Sequence, residues 1–205
     1  MEKVYNTKMF IAGLTGNYGM GKSFVLSVFK ELGAIVLDSD DIVNLLLHDK
    51  NVILNIKKIL GNMVEKEDGT LDKNKVAKKI FNNRELRSKV EVLLHPMVFE
   101  KIAISLQKIK GKRQLVIVAV PLLFEGGYQS RFNRTITVFT TQKLALERLM
   151  KVGVSGRDAM KRLKAQLPIQ VKKKKADYLI DNTDTKQKTR NQVKSLWKQL
   201  LDEMG

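Results

Sequence analysis

The sequence predicts an α/β fold: a parallel sheet with helices on both faces. Three observations carry the prediction. An apolar run at residues 9–14 leads into Gly16-Asn17-Tyr18-Gly19-Met20-Gly21-Lys22-Ser23 and then into an amphipathic run. Further short apolar runs alternate along the chain with stretches of helical periodicity. One of them, residues 115–120, is β-branched and apolar throughout, as expected of a central parallel strand.

Taken in order, residues 9–14 read as a buried strand, and the eight residues from Gly16 satisfy G-x-x-x-x-G-K-[ST], the phosphate-binding loop. The glycines let the backbone curl so that successive N–H groups point at phosphate oxygens. The helix that starts there adds its unpaired N–H groups and the positive end of its dipole. Lys22 is then placed to reach the β- and γ-phosphates, and the Ser23 hydroxyl to hold Mg²⁺. Phe24, Val25, Val28, Phe29 and Leu32 recur at helical spacing, and Gly33 reads as the stop. Residues 34–37 form a second short strand. Asp38-Ser39-Asp40-Asp41 follows and residues 42–47 are helical, with Ser39 or Asp40 as N-cap.

Residues 51–60 continue with Ile53, Ile56, Ile59 and Leu60 on one side, and Asp68-Gly69 marks a turn in a polar stretch. From 73 to 110 the pattern is helical throughout, with Pro96 expected at a new helix start. The block from about 52 to 110 contains no strand, so it reads as an insertion covering the substrate side. Gly111-Lys112 breaks it before the strand at 115–120, which ends in Pro121-Leu122-Leu123-Phe124-Glu125-Gly126-Gly127. Residues 135–139 read as a strand and 141–150 as a helix; Gly153 and Gly156 interrupt a basic segment that is helical again from 157 to 166. A short strand at 178–180 and a terminal helix at 185–203 complete the chain. The run Lys172-Lys173-Lys174-Lys175 reads as a solvated or substrate-steering surface.

Composition narrows the function. With 43% hydrophobic residues the chain can bury an ordinary core, and the absence of cysteine excludes disulfides and thiolate metal sites. No apolar stretch approaches the length needed to span a membrane, and residues 1–8 are polar, so a cytoplasmic protein is expected. The net charge of +17 admits nucleic acid, anionic membranes or polyanionic small molecules as partners. Its densest stretch, residues 143–175, has 11 basic and 2 acidic residues, yet no aromatic lies between Phe139 and Tyr178. Stacking residues are expected among the cations of a nucleic-acid binder, so no specific nucleic acid is expected. A lysine-rich solvated surface reflecting overall residue bias and binding of phosphate-bearing small substrates are the readings that remain.

Residues 13–23 followed by Leu37-Asp38-Ser39-Asp40 resemble the start of dephospho-coenzyme A kinases. The likeness continues in order through Asp68-Gly69-Thr70-Leu71, Leu94-His95-Pro96, Val120-Pro121-Leu122-Leu123-Phe124-Glu125, Gln166, Ala176-Asp177 and Ile180-Asp181-Asn182. It implies a single P-loop kinase chain over residues 1–205, nucleotide-kinase-like in fold. The expected core is about 9–50 and 112–205, the helical acceptor-side insertion about 52–110, and a basic lid about 148–165. It also implies transfer of the ATP γ-phosphate to the ribose 3′-hydroxyl of dephospho-coenzyme A, the last step in making coenzyme A. A nucleoside or nucleotide kinase with another acceptor shares the loop and lid and is the competing enzyme reading.

The expected nucleotide-binding residues are Gly16, Asn17, Gly19, Met20, Gly21, Lys22, Ser23 and Phe24, joined through the resemblance by Asn182 on the adenine side. Ser23 and Glu125 are the candidates for Mg²⁺. Glu125 otherwise reads as a surface charge at a turn. Lys22, Asp40 and Arg148 are the candidates for catalysis. Asp40 lies just beyond a strand end, where a carboxylate can orient an attacking hydroxyl and accept its proton. Helix capping is its structural alternative, and Asp38 is its rival. Arg148 offers a planar, permanent charge to a phosphoryl group, or else pairs with Glu147 or Asp158. His95 reads as a capping or buried histidine before it reads as a substrate contact. The chain departs from the family where Val152 replaces a usual second lid arginine, with Lys151 or Arg157 as possible stand-ins, and at Phe24 and Asp184.

Overall fold

The computed structural model describes residues 9–109 and 114–205; residues 1–8 and the expected break at Gly111-Lys112 lie outside them. Five strands form one sheet in the order β2-β3-β1-β4-β5: β1 Met9–Thr15, β2 Ile35–Asp38, β3 Gln114–Ala119, β4 Arg134–Phe139 and β5 Tyr178–Asp181. Every pairing is parallel. β1 lies between β3 and β4, with Leu14 opposite Ala119 on one side and Ile136 on the other. Because the chain leaves β1 for β2 on one side and later reaches β4 on the other, the carboxyl end of β1 is the switch point where such sheets bind ligands.

The chain divides into two compact units, one built on the sheet (residues up to 38 and from 110) and one of Ser39–Ile109. In the sheet unit, α1 Lys22–Glu31 and α9 Lys186–Glu203 cover one face. Ala12, Leu14, Leu115, Ile117, Ile136 and Val138 pack there against Val25, Val28, Phe29, Val193, Leu196 and Leu200. Helix α1 ends as its glycine predicts. Gly33 N–H donates to Lys30 O (3.0 Å) and Ala34 N–H to Phe29 O (3.0 Å), with Gly33 at φ +97°, the double bond of a left-handed glycine stop. Alternation along the strands turns Gly13 and Thr137 to the opposite face. A side chain at Gly13 would collide with Leu123 and Phe132 (2.6 and 2.9 Å).

Helices α6 Gln142–Lys151, α7 Gly156–Lys164 and α8 Ile169–Lys175 complete this unit. Thr141, Ser155 and Thr185 cap α6, α7 and α9 through side-chain oxygens. Helix α8 was not expected, and the solvated surface read into the lysine run is corrected at its first member: Lys172 is 0% exposed. A seven-residue helix is too short to display a stripe, and four like residues conceal which one faces inward.

The second unit is built around α5 Arg84–Gln107, on which α2 Ser39–Leu46, α3 Lys50–Leu60 and α4 Lys73–Asn82 all pack. Asp49, Asp72 and Asn83 cap α3, α4 and α5 through their side chains. Asp68-Gly69 makes the expected turn, with Thr70 N–H and Oγ1–H both donating to Asp68 Oδ1 (2.9 and 2.6 Å). Two expectations are corrected. Pro96 lies inside α5 rather than at a helix start. The buried residues Val90, Leu94, Val98, Ile102 and Leu106 run through it as one stripe, outweighing an interior proline's cost of about 3 kcal/mol. The Val92 carbonyl that Pro96 cannot serve belongs to a residue 71% exposed, open to water. Helix α2 begins at Ser39 directly after β2, so Ser39 and Asp40 are its first two residues rather than its cap. No helix among the described residues is long and apolar enough to cross a membrane.

Candidate active site

At the carboxyl end of β1 the chain turns through Gly16 to Gly21 and enters α1 at Lys22. Local physics and tertiary packing demand glycine at two points of this turn. Gly16 has φ +152°, and a Cβ there would lie 2.4 Å from Val138 O; Gly21 has φ +89°, and a Cβ there would lie 2.0 Å from Asn182 Nδ2. Lys22 Nζ donates to Gly16 O (2.9 Å), folded back over the loop it belongs to. Ser23 is exposed on the first turn of α1. Phe24 is half-buried and joins the core beneath, while Met20 is 2% exposed.

The loop is braced from two sides. Asn182, at the end of β5, donates from Nδ2 to Met20 O (3.0 Å), and its Oδ1 accepts from the buried Thr189 hydroxyl (3.0 Å). On the other side Asn17 Nδ2 donates to Leu167 O (3.0 Å) and Tyr18 N–H to Gln166 Oε1 (2.8 Å). The Arg162 guanidinium lies over the Tyr18 ring, 4.9 Å from its centroid, and Nη1 donates to the Tyr18 hydroxyl (2.9 Å).

Arg148, on α6, reaches this loop. Its Nη2 donates to Asn182 O (2.9 Å), while Nη1 is buried without a hydrogen-bond partner among the described residues. The same Nη1 lies 3.7 Å from where a Cβ of Gly21 would stand. A buried guanidinium nitrogen left with an open donor is costly unless an acceptor arrives, and a phosphate oxygen is such an acceptor. Val152 is 76% exposed and Lys151 and Arg157 are exposed too, whereas Arg162, not singled out in the sequence, joins Arg148 at the loop through Tyr18.

Glu125 is not a solvent-facing charge at its turn but a half-buried acceptor. Its Oε1 accepts from Leu167 N–H (3.0 Å) and from Lys172 Nζ (2.8 Å); its Oε2 is buried with no partner among the described residues. Burial pushes the Lys172 ammonium pKa down, and the Glu125 carboxylate partly restores it. Asp177 is structural, its carboxylate accepting from both Thr135 N–H and Oγ1–H (2.7 Å each). Asp38 ends β2 opposite Ala119 of β3. Asp40 is exposed in the first turn of α2, where with Asp41 it complements the helix dipole. His95 lies within α5, and burial lowers its pKa.

Comparison with known proteins agrees with these features. The family model of dephospho-CoA kinase matches residues 10–188. A dephospho-CoA kinase of Aquifex aeolicus is 34% identical over 92% of this chain and 96% of its own. A solved Thermus thermophilus structure superposes with a TM-score of 0.79 at 29% identity, covering 93% of this chain and 97% of that one. The dephospho-CoA kinase of Campylobacter jejuni shares the fold at a TM-score of 0.61 and 24% identity, over 94% of this chain and 98% of that one. With a phosphate-binding loop at the switch point of a five-stranded parallel sheet, and with matches that span nearly its whole length, the chain belongs to the dephospho-CoA kinase family.

Proposed function

We propose the following division of labour for the reaction of this ATP-dependent kinase, in which the γ-phosphate of ATP passes to the ribose 3′-hydroxyl of dephospho-coenzyme A. The backbone from Gly16 to Ser23 and the start of α1 cradle the phosphates, with Asn17, Gly19, Met20, Gly21 and Phe24 shaping the cradle. Lys22 leaves the Gly16 carbonyl to neutralise β- and γ-phosphate charge. Arg148 turns its open Nη1 to the phosphoryl group as negative charge develops there. Asp40 orients the acceptor hydroxyl and takes its proton. Asn182 contributes by holding the loop on the nucleotide's adenine side.

Mg²⁺ fits the donors present. No group of three or more His, Cys, Asp or Glu able to hold a metal occurs among the described residues, which suits an ion carried mainly by phosphates and water. Ser23 Oγ and the unpartnered Glu125 Oε2 are the protein oxygens that would meet it. When bound, the ion draws charge from the β- and γ-phosphate oxygens. The segment from about 148 to 165 acts as a lid pivoting at Gly153 and Gly156 and excluding water during transfer. The reaction takes place in the cytoplasm.

The observation that carries this reading is the buried, unpaired Arg148 Nη1 beside Gly21. The test is an acceptor panel with ATP and Mg²⁺, comparing dephospho-coenzyme A with nucleosides and nucleoside monophosphates. Turnover confined to dephospho-coenzyme A supports the assignment; faster transfer to a nucleoside overturns it.

A further inference from the structure

Four consecutive lysines, Lys172–Lys175, look equivalent in the sequence, and the fold separates them. Lys174 and Lys175 are exposed and Lys173 rests on the Phe139 ring (3.8 Å to the centroid), while Lys172 is 0% exposed. Helical spacing places Lys172 on the face of Ile169 and Ala176, three before and four after it. Its ammonium donates to Glu125 Oε1 and to Pro121 O, both at 2.8 Å.

Both acceptors lie in the loop that follows β3, and through Glu125 they connect Lys172 to Leu167 beyond α7. Pro121 O also accepts from Thr15 Oγ1 (3.1 Å), the last residue of β1 before the phosphate loop. Glu125 Oε1 also accepts from Leu167 N–H (3.0 Å), and Leu167 O in turn accepts from Asn17 Nδ2 (3.0 Å), inside the phosphate loop. One buried ammonium therefore closes a ring through β1, the loop after β3, the end of the α7 segment and the phosphate loop. A buried ion pair is a poor source of net stability compared with apolar packing. Its directed bonds instead fix these segments in one arrangement.

We propose that Lys172 is a positioning residue for phosphoryl transfer, holding the loop after β3 and the Gln166–Leu167 segment in register with the phosphate loop. It touches neither nucleotide nor acceptor. Its effect is on alignment at the carboxyl ends of β1 and β3, so it acts on turnover more than on ATP affinity. The inference rests on the reading of Gly16–Ser23 as the ATP site. Wild-type turnover assayed in parallel separates the two: failure of that reading appears in the wild type, failure of this inference only in the variants.

The experiment compares wild type, Lys172→Met, Lys175→Met and the double variant Glu125→Gln/Lys172→Met. It measures kcat with ATP and dephospho-coenzyme A, ATP Kd by calorimetric titration, and Tm. Lys172→Met removes the charge at similar volume, and kcat falls roughly tenfold or more, the scale on which misplacement of reacting groups is felt. ATP Kd changes by less than about threefold, the signature of an interaction realised in the transition state. Lys175→Met keeps wild-type kcat. Lys172→Met also leaves the Glu125 carboxylate buried without its cation, so Tm falls. The double variant neutralises that carboxylate and recovers Tm, yet its kcat stays at or below the level of the single variant, because the Lys172 bond to Pro121 is still missing and the Glu125 oxygen proposed to meet Mg²⁺ has lost its charge.

Either folded variant with kcat within about twofold of wild type overturns the proposal, as does kcat recovering in step with Tm in the double variant. The wild-type chain supplies a check that needs no variant. Its Leu167 amide proton, held by Glu125, exchanges slowly with solvent; exchange at the rate of an unprotected amide overturns the proposal by itself.

Discussion

The phosphate loop and the Gln166–Lys175 segment that supports it differ in where their shape comes from. The loop's shape is written mostly in its own residues: glycines at φ +152°, +80° and +89°, a lysine and a serine at fixed offsets, and a helix that starts on cue, with tertiary packing adding to the demand for glycine at Gly16 and Gly21. Residues 166–175 have no such pattern. Their contribution is a carbonyl, an amide, one glutamine side chain and one buried lysine, each given meaning by a partner far along the chain. A motif of this kind states which atoms meet the ligand. It does not state what keeps those atoms still.

The largest effect expected tests the local side of this contrast. Lys22→Ala abolishes phosphoryl transfer and leaves the fold intact. The Lys22 ammonium donates to Gly16 O, a carbonyl of its own loop (2.9 Å), so its removal takes charge from the phosphate site and nothing from the apolar core. Backbone dipoles alone do not neutralise β/γ charge. Retention of more than about one-twentieth of wild-type turnover by the purified variant would remove the loop from the reaction.

Asp40→Asn comes next, and kcat falls by at least ~10²-fold, the scale of a lost general base, with ATP affinity near wild type. Asparagine keeps the size of the side chain and, at the exposed start of α2, costs little stability. Were Asp38→Asn the crippling change and Asp40→Asn mild, the base would be the residue that ends β2.

All five strands and the glycine stop at Gly33 were legible because the strands are short apolar or β-branched runs and left-handed caps select glycine. Among the candidate site residues, the loop was legible by motif and Arg148 by resemblance. Helix α8, the interior Pro96 and the buried Lys172 were not. Helix α8 is too short to show a stripe, while for Pro96 and Lys172 a tertiary term outweighs the local rule: packing of one long stripe over proline's lost bond, and the Glu125 carboxylate over lysine's preference for water. Arg162 and Tyr18 were unread for a related reason, since stacking across 144 residues leaves no trace in local spacing.

Arg148→Ala is expected to lower kcat by roughly tenfold or more, and the loss persists at high ionic strength because the group is buried at the loop. Neutralising the lysines at 173 to 175 changes mainly the salt dependence of the apparent KM. Rates compared at low and high salt decide between them: if both losses vanish together as salt rises, no lid arginine acts directly on the phosphates, and the loop stands without its remote partner.

The smallest effect asks whether the remote braces matter to binding at all. Thr189 is 0% exposed and its hydroxyl donates to Asn182 Oδ1 (3.0 Å), while Asn182 Nδ2 donates to Met20 O (3.0 Å). Thr189→Val preserves shape and removes the donor, leaving a buried amide oxygen unsatisfied. The expected cost is about 1–3 kcal/mol of unfolding free energy by denaturant titration, with m unchanged. Asn182 then loses its fixed orientation under the Met20 carbonyl, and ATP Kd rises, by less than about tenfold because the loop's own glycines and helix start remain. A stability loss of that size with no change at all in ATP affinity would mean that the loop keeps its binding shape unaided. The brace would then be a feature of folding alone, and the contrast between a motif that binds and a scaffold that holds it would fail at this end of the loop.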